Sequence, residues 1–421
     1  MSIVGGTSAK TDAAAGSSSA ELAKLLSAAA VRERCSLVYH WVDAGHSQHF
    51  TLDERRLVDV AAYVAEVTRA AYPGLNIPPH SRWRHFSAGG IERWALIAQG
   101  LDAADVGDRA RAAIDLATVS VLLDAGAGDQ WSYRERATGL VFARSEGLAI
   151  ASLDMFANGL FSSQPARPLQ VDAAALKAID AAKLAQGFQV DAGNPLIGLD
   201  HRAALLRRLG HALEARLDLF GTMMRPGCLA DYLAPQSRDG RIPASLVLSI
   251  LLDSLSSIWP SGLVVNGVSV GDAGYHTAVR TNDATDRIVP FHKLSQWLTY
   301  SLIEPLAMAG LPVANLDELT ALAEYRNGGL FVDLGVIHSR RPIDTPQKVS
   351  SELVIEWRAL TVTLMDELLG LVRSRLGLST AFALPHLLQG GTWSAGRKIA
   401  LERRPPSGPP PIPLATDGTV F

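Results

Sequence analysis

Residues 352–376 read ELVIEWRALTVTLMDELLGLVRSRL. In this stretch Leu353, Val354, Ile355, Trp357, Leu360, Val362, Leu364 and Met365 leave almost no polar face, and a helix that is apolar nearly all round belongs in an interior. The spacing predicts a central, buried helix over Glu352 to Leu376. Working outward, apolar residues recur at helical spacing in Ala20 to Ala30, Glu54 to Ala71, Asp108 to Leu123, Glu146 to Phe156 and Ala173 to Gln186. The pattern continues in His201 to Phe220, Ala244 to Ile258, Phe291 to Ala309 and Leu316 to Glu324. Alternation with period two is scarce, and short strands are expected only near Leu263 to Val270 and Leu330 to Ile337. The fold class is therefore mainly α, a multi-helix globular protein with few short strands. No internal repeat occurs.

The central helix carries two ionisable groups. Glu356 lies three residues after Leu353 and four before Leu360, and Arg358 lies four from both Val354 and Val362, so each shares a stripe with apolar neighbours. Buried charges need partners. The segment Glu324-Tyr325-Arg326-Asn327-Gly328-Gly329, followed by Leu330-Phe331-Val332-Asp333, is expected to supply one for each. It places two carboxylates, a guanidinium and two glycines in an apolar setting, with Gly-Gly allowing close backbone approach to a ligand. This reads as the centre of an active site; a structural ion-pair network is the alternative.

Composition bounds the rest. The chain has 421 residues, 48% hydrophobic, with a formal charge of -3, which gives no electrostatic case for nucleic acid. Cys35 and Cys228 are far apart and form no CxxC pair, so a reducing cytoplasm fits better than a disulfide framework. No run reaches roughly 18 uninterrupted apolar residues, the length a membrane span needs. Even Ala244 to Trp259 holds Asp253 and five serines, so no membrane partner is expected. Residues 1–19 are expected to be a disordered leader, 20–402 one large helical domain with a bilobed division at 170/171 as an option, and 403–421 a proline-rich extended tail.

Further constellations carry chemistry. Lys293 and Trp297 open a helix one turn apart, a cation beside an indole, suited to a phosphate or sugar oxygen or else to a snorkelling lysine over a core ring. His80-Ser81-Arg82-Trp83-Arg84-His85 is the densest cationic cluster; Arg82 and Arg84 have the forked geometry that meets phosphate or carboxylate, and a surface loop is the alternative. The turn holding Asn194 and the helix end at Trp259 are lesser candidates for a pocket rim, with turn and cap as their structural roles. No P-loop, GxGxxG, GxSxG or HExxH is present, and no cofactor or metal is called for.

Taken in order, YPGLNIPPHSRWRHF (72–86), DAGNPLIGLDHR (191–202), IWPSGL (258–263), VPFHKLSQWLTYSLIEP (289–305), AEYRNGGLFVDLG (323–335), IEWRALTV (355–362) and DGTVF (417–421) resemble the uracil catabolism protein four family of fungi and bacteria. That resemblance implies a place in the uracil breakdown route in which the opened ring leaves a ribosylurea-type intermediate that must lose its sugar. The C-terminal half also resembles the queuosine-nucleotide N-glycosylases, helical relatives of DNA glycosylases. Their YKRAQ-type helix is similar to His292-Lys293-Leu294-Ser295-Gln296, their ADYR to Ala323-Glu324-Tyr325-Arg326, and their EIR to Ile355-Glu356-Trp357-Arg358. Glu324 stands where that family has aspartate, and the likeness implies a DNA-glycosylase-like C-terminal half.

The activity expected from these residues is hydrolysis of an N-ribosidic bond in a small nucleoside- or nucleotide-derived substrate, releasing urea or a base from ribose or its 5-phosphate. Cleavage puts positive charge on C1′ and the ring oxygen, which a buried carboxylate stabilises. Glu324 takes that role, with Glu356 or Asp333 handling water or proton and Arg326 and Arg358 keeping the first carboxylate ionised. Lys293 holds a sugar hydroxyl or phosphate, and Arg82 and Arg84 are candidate phosphate ligands. The competing readings are a non-catalytic ligand-binding or scaffold protein of the same pathway and an amidohydrolase acting on the urea side.

Overall fold

The helix at Glu352–Leu376 forms over the expected residues, and both of its ends carry stop signals. Ser351 Oγ accepts from the Val354 N–H at its start, and Gly377 takes a left-handed conformation (φ 69°) at its end, which satisfies orphan backbone groups at each terminus. The structure is a computed structural model that describes residues 18–101, 105–124, 126–128, 130–259 and 262–415. Residues 1–17 of the expected leader, Pro260 and Ser261 of the IWPSGL motif and the closing DGTVF lie outside the described residues.

Ten helices of nine residues or more build the described protein. They are α1 (Ala28–Asp43), α2 (Leu57–Ala71), α3 (Val106–Leu122), α4 (Arg144–Ala157), α5 (Leu199–Ala215), α6 (Ala244–Leu255), α7 (Lys293–Met308), α8 (Tyr325–Asp333), α9 (Glu352–Leu376) and α10 (Trp393–Arg403). The mainly α fold is thus what the apolar spacing indicates. Around α9 pack α1, α2 and α8, while α3 lies along α7 and α10 covers α8. One apolar cluster runs from Ala28 to Ile412 and takes side chains from all ten helices. Among the described residues strands make only two-stranded ladders, and no helix is long and apolar enough to cross a membrane.

Two local expectations are corrected. Leu330 to Asp333 belongs to α8, not to a strand; Leu330 and Phe331 are buried on the apolar side of that helix. Only Ile337–Ser339 is extended there, paired antiparallel with Phe50–Leu52. Conversely, the helix expected over Leu316 to Glu324 shrinks to the turn Leu316–Glu318. Beyond it the backbone finds partners on neighbouring helices: the Gln296 side chain accepts from Thr320 N–H at 2.9 Å, and Arg358 Nε donates to the Ala323 carbonyl at 3.3 Å. Backbone groups satisfied by side chains in this way have no need of an i→i−4 ladder.

The two glycines at the head of α8 serve packing. A Cβ on Gly328 would lie 2.8 Å from the Trp357 ring and 2.7 Å from Thr361 Oγ1 of α9, and one on Gly329 3.0 Å from Pro411. They let α8 settle onto the central helix and the C-terminal segment onto α8, in place of the ligand approach read from the sequence. Gly396 does the same for α10, since its Cβ would meet the Arg326 carbonyl oxygen at 2.3 Å.

Candidate active site

Glu324 is the last extended residue before α8 (φ -125°, ψ 160°), and its carboxylate folds back to accept from the N–H groups of Arg326 at 2.7 Å and Asn327 at 2.6 Å. A carboxylate at a helix N-terminus satisfies orphan donors and meets the positive end of the helix dipole. The side chain is nonetheless buried. Burial pushes its pKa above the ordinary value, against the pull of those two N–H groups, Lys293 and Arg326. Across from it, Lys293 opens α7; burial holds its ammonium below the ordinary lysine range, with Glu324 pulling the other way.

Behind both residues stands a buried ion pair. Arg358 of α9 reaches Asp272 with two hydrogen bonds of 2.8 and 2.7 Å, while Asp272 also accepts from the Lys293 N–H at 3.0 Å. Burial pushes the Asp272 pKa up, but the Arg358 guanidinium, the Lys293 N–H and His292 together hold the carboxyl below its usual range. One guanidinium therefore braces the Ala323 carbonyl next to Glu324 and, through Asp272, the backbone of Lys293. This is a positioning role, which a rigid bidentate pair performs well.

Glu324 and Lys293 share a cavity of about 550 Å3, a size typical of small-molecule sites. Its opposite wall is organised by Arg82, fully buried in the short helix Arg82–His85. Arg82 donates to Ser120 Oγ at 2.7 Å and to the Ser145 carbonyl at 2.8 Å, pairs with Asp124 at 3.0 Å and meets His85 Nδ1 at 3.2 Å. Asp124, His85 and Ser145 all line the cavity. A guanidinium only donates, so His85 accepts at Nδ1 and carries its proton on Nε2. Burial, then Arg82, His80 and Arg397 push its pKa well down, so the ring is neutral. The His80 ring lies tilted against Trp297 with 4.6 Å between centroids, and Trp297 also lines the cavity.

The remaining lining combines Arg144 at the start of α4, Arg326, and Trp393 and Arg397 of α10 with Ser407 to Pro410, Pro413 and Leu414. The proline-rich segment is fixed in place: Arg326 donates to the Gly408 carbonyl at 2.9 Å, Arg404 to that of Pro409 at 2.8 Å, and Gln347 N–H to that of Pro413 at 2.8 Å.

A family model described as "Protein of unknown function (DUF1688)" matches residues 24–421. The chain belongs to the DUF1688 family. It is 40% identical over 413 residues to "Protein urg3" of Schizosaccharomyces pombe, covering 95% of this chain and 99% of that one. It is also 37% identical over 438 residues to "Uracil catabolism protein 4" of Lachancea kluyveri, covering 94% and 98%.

Of the residues singled out by sequence, this DUF1688 protein brings Glu324, Lys293, Trp297 and Arg326 to one cavity. The others lie elsewhere. Glu356 is buried against Ser47 and against His276 Nε2 at 2.9 Å, partners from other segments than the one that carries Glu324. Asp333 sits at the far end of α8, about 13 Å along the axis from Glu324 at 1.5 Å per residue, and is clamped by Arg404 at 2.7 and 2.6 Å. Arg358 is spent on Asp272, and Arg82 on the wall just described. Arg84 turns outward to pair with Glu304. Asn194 donates to the carbonyls of Ser132 at 2.9 Å and Gln189 at 2.8 Å and stitches a turn. Trp259 is in the apolar core.

Asp124, Arg144, Trp393 and Arg397 were missed. For Asp124 a signal existed: it is an acid immediately beyond the C-terminal end of the apolar helix α3, where the helix dipole disfavours negative charge. An unfavourable placement of that kind marks a residue held for another purpose. The other three leave no mark in their local sequence, because Trp393 and Arg397 arrive only through the docking of α10 on α8 and Arg144 only through the placement of α4. Among the described residues no group of three His, Cys, Asp or Glu side chains is placed to hold a metal ion.

Proposed function

We propose that this protein acts in uracil catabolism as an N-ribosyl hydrolase, cleaving the C1′–N bond of a ribosylurea-type intermediate to give urea and the pentose. The pathway assignment is supported by the relative named "Uracil catabolism protein 4", matched over 94% of this chain. The single observation that carries the chemistry is the buried Glu324 carboxylate, fixed by two N–H groups on the wall of a cavity it shares with Lys293 and Asp124. As the C1′–N bond lengthens its electron pair leaves with the urea nitrogen, and positive charge spreads over C1′ and the ring oxygen. A carboxylate in a water-poor site opposes that charge more strongly than water does. The oxygen of a water molecule then bonds to C1′, and its proton balances the departing urea.

In this reading Glu324 faces the sugar and Asp124, held by Arg82 at 3.0 Å, takes the proton of the attacking water and passes it to the departing urea nitrogen, the role the sequence suggests for Glu356 or Asp333. Lys293 binds a sugar oxygen, and Trp297 and Trp393 form flat walls. The test is incubation of the purified protein with ribosylurea, its 5-phosphate and several nucleosides, followed by product identification. Urea with reducing sugar supports the proposal. Ammonia with carbon dioxide would show attack on the urea group instead, and no product from any of these would favour a ligand-binding role.

A further inference from the structure

Three guanidiniums meet at one end of the cavity. Arg144, Arg326 and Arg397 all line it, and they are close enough that Arg144 and Arg326 add to burial in holding the Arg397 pKa below its ordinary range, with Glu146 opposing. The fold assembles them by specific means. Gly396 allows α10 to touch the Arg326 carbonyl, so the next residue, Arg397, is delivered beside Arg326. The Arg397 guanidinium lies 4.1 Å over the Trp393 ring, and Arg326 lies 4.9 Å over Tyr325. Stacking holds both forks in fixed planes. Arg144 enters with a left-handed backbone (φ 55°) as the first residue of α4, a conformation that a long side chain adopts only under constraint.

Such a cluster is unfavourable by itself, since like charges repel and Arg397 Nε is buried without a hydrogen-bond partner. Groups of this kind are retained where a ligand completes them. A phosphate monoester brings close to two negative charges and three acceptor oxygens, which suit forked donors. Arg326 is two residues from Glu324, at most about 7 Å between α-carbons, and both side chains line the same cavity.

We propose that Arg144, Arg326 and Arg397 form a phosphate subsite, and that the ligand of this cavity is a pentose 5-phosphate conjugate in place of the free nucleoside. The identity of the sugar rests on the N-ribosidic reading; the anion site does not. The segment Ser407 to Pro410 lines the cavity beside these arginines, with Arg326 shared between the Gly408 carbonyl and the ligand.

The experiment is calorimetric titration of the full chain with ribose 5-phosphate, ribose and inorganic phosphate, alongside Arg144→Ala, Arg397→Ala and Glu356→Gln variants checked by thermal melting. Ribose 5-phosphate is expected to bind at least tenfold more tightly than ribose. Each arginine variant should weaken it tenfold to a hundredfold, and Glu356→Gln, which touches no cavity wall, should leave it within threefold. Should Arg397→Ala fail to fold, Arg144→Ala decides alone. Equal affinity for ribose and its phosphate, or arginine variants within twofold of the parent, overturns the subsite. Tight, arginine-dependent binding without turnover of any ribosylurea keeps the subsite and removes the hydrolase reading. Turnover of ribosylurea that its 5-phosphate does not improve does the reverse.

Discussion

Replacing Glu324 by glutamine removes one charge while leaving the side chain's length and an acceptor oxygen in place. Two unit charges about 3.5 Å apart, at the effective dielectric of about 20 suited to protein sites, interact by about 5 kcal/mol. If only half a positive charge has developed on the sugar at the transition state, the loss is about 2.4 kcal/mol. At about 1.36 kcal/mol per tenfold, these bracket a fall in kcat/KM between about 50-fold and about 3000-fold. The folded state should change little. The amide oxygen still accepts from the first turn of α8, where Arg326 and Asn327 donate to the present side chain, and a weakened cap costs about 1 kcal/mol. The assay is urea release from ribosylurea or its 5-phosphate at saturating and at limiting substrate, with a thermal melt of both proteins. A variant that melts like the parent and keeps more than a fifth of kcat/KM would refute the placement of Glu324 against the reacting carbon.

Three other outcomes follow from the same geometry. Activity that needs Glu324 ionised is lost as pH falls through its folded pKa, which burial raises above the ordinary 4.5, so the acid limb of kcat/KM should lie above pH 4.5. Lys293 must stay charged and is pushed below 10.5, so the basic limb should lie under pH 10.5, and Lys293→Gln should abolish that limb. Glu356→Gln should leave kcat/KM within about threefold but lower stability by about 1–3 kcal/mol in a denaturant melt, because it breaks a buried set with Ser47 and His276 and touches no cavity wall. Gly396→Ala should destabilise by about 1–3 kcal/mol, since a methyl placed 2.3 Å from the Arg326 carbonyl forces α10 away from α8; a melting temperature equal to the parent's would contradict that packing.

The local sequence was readable where a single element decides the outcome. The central helix, its Ser351 start and Gly377 stop depend on spacing and caps within one segment, and so does the neighbouring placement of Lys293 and Trp297 on α7. The strand expected at Leu330 to Ile337 failed for a complementary reason. A short apolar run with glycines beside it has no period long enough to separate strand from helix, and the cap made by Glu324 settled the matter.

By itself the sequence determined a mainly helical protein with a largely buried central helix, and it singled out Glu324, Arg326, Lys293 and Trp297 within a wider set that also held Glu356, Asp333, Arg358, Arg82, Arg84, Asn194 and Trp259. Only the tertiary structure decided which charges answer which. Arg358 answers Asp272, Glu356 answers His276, Arg82 answers Asp124, and Arg404 answers Asp333. The physical reason is that spacing along a helix says which residues share a face, while partners 40 to over 80 positions away are chosen by how faces dock. That docking turned on backbone contacts at Gly328 and Gly396. Burial then sets a demand for a partner without naming it, and the cavity, with Asp124, Arg144 and Arg397 on its walls, exists only once the helices are in place.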